Sequence, residues 1–200
     1  MAERTLGMVE MIKLRKLFGG LGNQMFQMAY VYAQMKRGEI PDLYIQDESY
    51  WAEYKDDIKA MYGIGIGHTD KISIHIRRGD YINNPMYVDL CKTDYYKKAM
   101  ALFPKDDFLV FCADRQEGSN DVDDMDWCKE FFQGDRFEFF QGKNEIEDMN
   151  KMASCKGHIM ANSSFSWWAS YLGGGKVVAP LKWFKDGVQR ITLLESWIKI

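Results

Sequence analysis

From Lys71 onward, short apolar runs alternate with longer stretches in which apolar residues recur every three or four positions. Residues 71–77 place Ile72, Ile74 and Ile76 at every second position, which predicts a strand. Thr93-Asp94 can cap a helix over 93–102, with Pro104 just beyond it. Residues 108–112 read as a buried strand, 122–132 as a helix and 137–140 as a strand. A helix over 145–154 puts Ile146, Met149 and Ala153 on one face, and a strand follows at 158–161. The last pair is a helix over 164–172, stopped by Gly173-Gly174-Gly175, and a strand over 176–180. This alternation predicts βαβ units and a mostly parallel sheet covered on both faces. Ligands of such sheets sit at the carboxyl ends of the strands, near a topological switch point.

The same theme occurs once nearer the N-terminus. Residues 12–18 predict a strand, Gly19-Gly20-Leu21-Gly22 a turn, and 23–36 a helix. Phe26, Ala29, Tyr30 and Ala33 share one face of that helix, while Met25, Met28, Tyr32 and Met35 cover another. A helix apolar nearly all round belongs inside a fold. A short strand over 42–46 and a helix over 50–62 follow, and Gly63-Ile64-Gly65-Ile66-Gly67 is the natural connector.

Composition narrows the function classes. The 200 residues carry 26 Lys+Arg against 29 Asp+Glu, a net charge of −3. No general field attracts nucleic acid or anionic lipid, so any anion must be held by local groups. With 46% hydrophobic and 28% charged residues the chain is of folded, globular type. Cys91, Cys112, Cys128 and Cys155 form no C-x-x-C pair, which argues for free thiols in a reducing compartment. The N-terminus has no signal-peptide core. The uncharged stretches 17–35 and 158–175 contain Gly, Asn, Gln or Ser and do not read as membrane spans. A cytoplasmic protein without a transmembrane segment is expected.

Three segments carry candidate chemistry. His75-Ile76-Arg77-Arg78-Gly79-Asp80-Tyr81 sets two guanidinium groups at a predicted strand end. Their forked donors match phosphate oxygens and keep their charge. An exposed ion-pair loop is the plainer reading. Asp80 can orient an arginine or act as a base. Gly19-Gly20-Leu21-Gly22-Asn23-Gln24 joins a strand to a helix N-terminus, an anion or carbohydrate site or simply a tight turn; it lacks the Lys-Ser/Thr of a P-loop. Asn162-Ser163-Ser164-Phe165-Ser166-Trp167-Trp168 opens a helix with good caps, whose hydroxyls and N–H groups suit a phosphate. The two tryptophans there fit core packing better than ligand stacking. Asp121-Val122-Asp123 and Asp124-Met125-Asp126 match the D-x-D pattern of some metal-dependent transferases, yet read better as the acidic start of a helix. His68 and His158 have no ligand-spaced partners, so no metal site is assigned.

In this order the three segments resemble those of the α-1,2-fucosyltransferases of glycosyltransferase family 11. Asp126-Trp127-Cys128-Lys129 and Ala179-Pro180-Leu181-Lys182-Trp183-Phe184 are also similar to family segments, so the resemblance runs from about Ile12 to near the end. It implies an α/β, GT-B-like enzyme. Residues 11–68 would be a reduced N-terminal α/β half on the acceptor side, 69–184 a Rossmann-like donor-binding domain, and 185–200 a C-terminal tail or helix. The span 25–74, between the glycine turn and the double arginine, is shorter than in family members. The implied partners are GDP-β-L-fucose and a glycan acceptor; L-fucose would pass to a galactoside hydroxyl in α-1,2 linkage, with inversion and without metal or cofactor. The resemblance implies that the His-x-Arg-Arg segment holds the donor pyrophosphate, with Arg77 as its catalytic residue; independently, the acceptor hydroxyl must lose a proton, and Asp80 is the carboxylate expected to take it. His75, Arg78, Asn162, Ser163, Ser164, Phe165 and Ser166 would complete the phosphate and sugar pocket. Asp148 would pair with guanine. Gly20, Gly22, Asn23 and Gln24 would face the pocket across a cleft. The alternative is a GDP-sugar-binding module without transfer.

Overall fold

The computed structural model describes residues 17, 19–37, 46–64, 67–112 and 124–200. The strands expected over 12–18 and most of 42–46, the acids Asp121 and Asp123, and the centre of the glycine connector lie outside the described residues. The elements are α1 (Leu21–Arg37), α2 (Lys55–Tyr62), β1 (Thr69–Ile76), α3 (Tyr95–Ala101), β2 (Phe108–Cys112), α4 (Asp124–Phe131), β3 (Phe137–Phe139), α5 (Glu145–Ala153), β4 (Cys155–Ile159), α6 (Ser164–Gly173), β5 (Lys176–Ala179) and β6 (Ile198–Lys199).

All six strands are parallel and lie in the order β3-β2-β1-β4-β5-β6. This is the strand order of a doubly wound Rossmann-type sheet. The alternation along β1 sorts its residues onto two faces, and both are buried. Ile72, Ile74 and Ile76 pack with Phe108, Val110, Ile159 and Val178 under α3 and α4. The opposite face holds Leu109, Phe111, Val177 and Ala179 under α1, α5 and α6. Ser73 and His75, the polar residues of β1, are buried on that second side.

Helix α1 is buried as its all-round apolar pattern predicts. Phe26 lies 4.7 Å from Trp167 and 5.0 Å from Trp168, ring to ring. Trp51 stacks on Trp168 at 5.9 Å. Both α6 tryptophans therefore serve the core. The N-terminal helices share this core with α5 and α6.

Three local differences have clear causes. Residues 48–54 form two 3-10 turns, the first capped by the Asp47 side chain, so the helix expected from residue 50 starts only at Lys55. Strand β4 begins at Cys155, before its expected start. Lys156-Gly157 looks like a turn in isolation, but at Gly157 a side chain would meet the Lys176 carbonyl at 2.9 Å and Ile72 at 3.0 Å. Close packing of neighbouring strands requires glycine there. Residues 185–200, expected as a tail or helix, contain no helix. They return to the sheet edge as β6, with Val178 opposite Ile198.

Candidate active site

The sheet order reverses between β1 and β4, and the carboxyl ends of those strands open into a cavity of about 610 Å³. Its floor comes from three places in the chain. His75 and Arg77 end β1, Ser163, Ser164 and Phe165 begin α6, and Gly20, Gly22 and Asn23 begin α1. The α1 turn does not stand across a cleft from α6; it rests on it. Ser164 Oγ donates to Asn23 Oδ1 at 2.8 Å, and the Gln46 amide donates to the same oxygen at 2.7 Å. Gly22 lies so close to the Ser164–Phe165 peptide that no side chain fits. Two helix N-termini thus meet at the cavity, and both carry partial positive charge.

Arg77 is held from two directions. Its Nη2 lies 2.7 Å from Asp80 Oδ1, and its guanidinium sits 5.3 Å from the centre of the Tyr81 ring. His75 beside it is buried, with Nδ1 lacking a partner among the described residues. Burial, reinforced by the charge of Arg77, pushes the imidazole pKa down to about 3, so the ring is neutral near pH 7. Asp148 and Glu145, in the first turn of α5, also line the cavity. Asp148 Oδ1 accepts from the Gly142 N–H at 2.7 Å.

Four expected site residues do not line the cavity. Arg78 turns away; its Nε donates to Asp124 Oδ1 at 3.1 Å, and its guanidinium lies 4.0 Å above Trp127. It clamps α4 to the end of β1, with Gly79 N–H donating to Asp124 Oδ2 at 3.0 Å. Asp124 and Asp126 stand in the first turn of α4, and Asp126 pairs with Lys129. Gln24 donates to the Gly19 carbonyl and closes the turn. Asn162 is buried and donates to the Val88 and Trp183 carbonyls at 2.9 and 3.0 Å, while its own carbonyl accepts from the Tyr81 hydroxyl. It ties together the loops that wall the cavity. The Ser166 hydroxyl is buried and shared between the Ala161 and Ser163 carbonyls just ahead of α6.

Other lining residues were not anticipated. Tyr81 stacks on Tyr87 at 4.2 Å and 5°, and Tyr87 meets Phe184 at 5.4 Å. Arg190 lies over Phe184 at 4.6 Å and pairs with Asp186 at 2.6 Å. Tyr81 adjoins the double-arginine motif, a usable signal. Phe184 closes the 179–184 segment already noted for its family likeness, whereas Tyr87 and Arg190 carry no local signal, because they reach Phe184 only in the folded chain, Tyr87 across an isolated bridge.

A family model described as "Glycosyl transferase family 11" matches residues 44–200. The chain belongs to this family. Among curated relatives, an alpha-1,2-colitosyltransferase of Escherichia coli is 33% identical over 165 aligned residues, covering 70% of this chain and 54% of that protein. The O-antigen biosynthesis glycosyltransferase WbnK, also of Escherichia coli, is 28% identical over 198 residues, covering 84% of this chain and 62% of that protein. The chain thus spans little more than half the length of the relatives it matches. Among the described residues, no helix is long and apolar enough to cross a membrane.

Proposed function

We propose that this glycosyltransferase moves L-fucose from GDP-β-L-fucose to a galactoside hydroxyl in α-1,2 linkage, with inversion and without a metal ion. The observation that carries the reading is that Arg77 lines one cavity together with two helix N-termini at the switch point. Transfer needs a place where a diphosphate gains negative charge as it leaves. The guanidinium and the partial positive charge at the start of α6 suit that charge, with the Ser163 hydroxyl, which accepts from the Phe165 N–H, keeping its own proton to donate. Neutral His75 adds a hydrogen-bond partner and no charge. The Asp148 carboxylate lines the same cavity, and a carboxylate there suits the N–H edge of guanine.

The acceptor oxygen bonds to the anomeric carbon as the carbon–phosphate-oxygen bond breaks, and the electron pair leaves with GDP. The acceptor proton goes to Asp80. Before the donor arrives Asp80 is bound to Arg77. When the diphosphate takes up the guanidinium donors, the carboxylate is released to act as the base.

The test is GDP release and product mass with GDP-β-L-fucose and a panel of galactosides, in EDTA. Because one relative is a colitosyltransferase, GDP-activated colitose belongs in the donor panel. Product that persists in EDTA is the expected result, and Arg77→Ala should cut turnover by at least about 100-fold. Absence of product with every donor and acceptor would remove the transfer reading. A second reading is donor binding without transfer; calorimetric GDP binding without product would establish it.

A further inference from the structure

A second hollow, of about 800 Å³, adjoins the first. Gln46 and Arg190 line both, so the two meet at these side chains. The junction is anchored. Thr192 N–H donates to the Gln46 carbonyl at 3.2 Å, the Trp167 indole donates to the Thr192 carbonyl at 2.8 Å, and Ile191 is buried. Arg190 therefore projects from a fixed segment.

The row Tyr81–Tyr87–Phe184 runs between the two guanidinium groups, Arg77 at one end and Arg190 at the other. The ring faces are taken up by one another and by the two guanidinium groups, so the row is a rigid wall of the first cavity that presents ring edges to a sugar. The sheet order places Phe111 and Cys112, at the end of β2, on one side of the switch point. The ring row and the second hollow lie toward the β5 side. The second hollow is lined by Lys182, Arg190 and Lys199 against Asp47. Asp186 balances Arg190, so among the described lining residues the two lysines outweigh Asp47.

Building on the transferase reading above, we propose that the second hollow receives the acceptor beyond its reacting sugar, and that this portion carries an anionic group. The reacting sugar lies in the first cavity, beside the wall made by Tyr81, Tyr87 and Phe184. The chain then passes Arg190, and a carboxylate or phosphate meets Lys182 and Lys199. Arg190 is a specificity-determining residue for the acceptor.

The test is equilibrium binding to the GDP-saturated protein of three trisaccharides that share the same terminal galactoside. One is neutral, one carries a uronic acid and one a phosphate on the distal sugar. Expected is about tenfold tighter binding of a charged trisaccharide than of the neutral one, weakening with salt. The tighter of the two charged forms identifies the source of the anion. Arg190→Gln and the double variant Lys182→Gln/Lys199→Gln should each erase most of that advantage, the lysine variant with GDP affinity unchanged. Equal binding of the neutral and charged trisaccharides overturns the proposal, as does an advantage that survives both variants. Either result with GDP binding intact leaves the donor site standing, whereas failure to bind GDP removes the transferase reading itself.

Discussion

Gly22→Ala perturbs the point where α1 meets the N-terminus of α6. A methyl group at Gly22 would stand 2.5 Å from the Ser164 carbonyl carbon, 2.6 Å from Phe165 N and 2.7 Å from Ser164 O. Ordinary contact begins near 3.4 Å, so the helices must part by roughly 0.9 Å. All three neighbours are backbone atoms, and no rotamer change relieves them. Overpacking of this kind costs about 1–3 kcal/mol. Separation also weakens the Ser164–Asn23 hydrogen bond, worth about 1 kcal/mol. Against this, alanine gains at most about 1 kcal/mol of helix propensity, and less at the second residue of a helix. The net expectation is a loss of about 1–3 kcal/mol. Gly20→Ala is the matched control, because nothing lies within 4 Å of a methyl group there. Urea unfolding followed by tryptophan fluorescence should place Gly20→Ala within about 0.5 kcal/mol of the parent and Gly22→Ala clearly below it. GDP affinity should fall with Gly22→Ala. Equal stability of the two variants would refute the close seating of α1 on α6, and with it the shared floor of the cavity.

Arg78→Ala should destabilise the protein by about 1–3 kcal/mol, through loss of the Asp124 bond and the Trp127 contact, while GDP affinity stays within about threefold of the parent; unfolding and calorimetry separate the two. A large loss of GDP affinity at parental stability would return Arg78 to the donor site. Burial pushes the His158 pKa down to about 4, below its unfolded value of about 6.5. The unfolded chain therefore takes up the proton first. The stabilisation is complete above about pH 6.5 and is lost as pH falls toward 4, at up to about 1.4 kcal/mol per pH unit. His75 acts in the same direction. His158→Gln should flatten the fall in urea midpoint between pH 7 and pH 5; an unchanged slope would assign the acid sensitivity to other groups.

Much of this architecture is local, and local physics is legible in a sequence. The alternation of Ile72, Ile74 and Ile76, the apolar run at 108–112 and the glycine stop after α6 announce βαβ units because strand period and helix breaking depend on near neighbours. The apolar girth of α1 announces its burial for the same reason. The phosphate-like motifs also fall where such units bring ligands, at strand ends and helix starts. What each polar group does there depends on partners far along the chain. Asn162 spends its amide on Val88 and Trp183, and Arg78 spends its guanidinium on Asp124 and Trp127. Arg190 reaches the cavity only because residues 185–200 cross back to form β6. Strand order follows the same logic: β1 lies between β2 and β4 because both of its faces and both of its edges must be covered at once. A residue type states which bonds a group is able to make. Which of them it makes is decided by the neighbours that packing brings within about 3 Å.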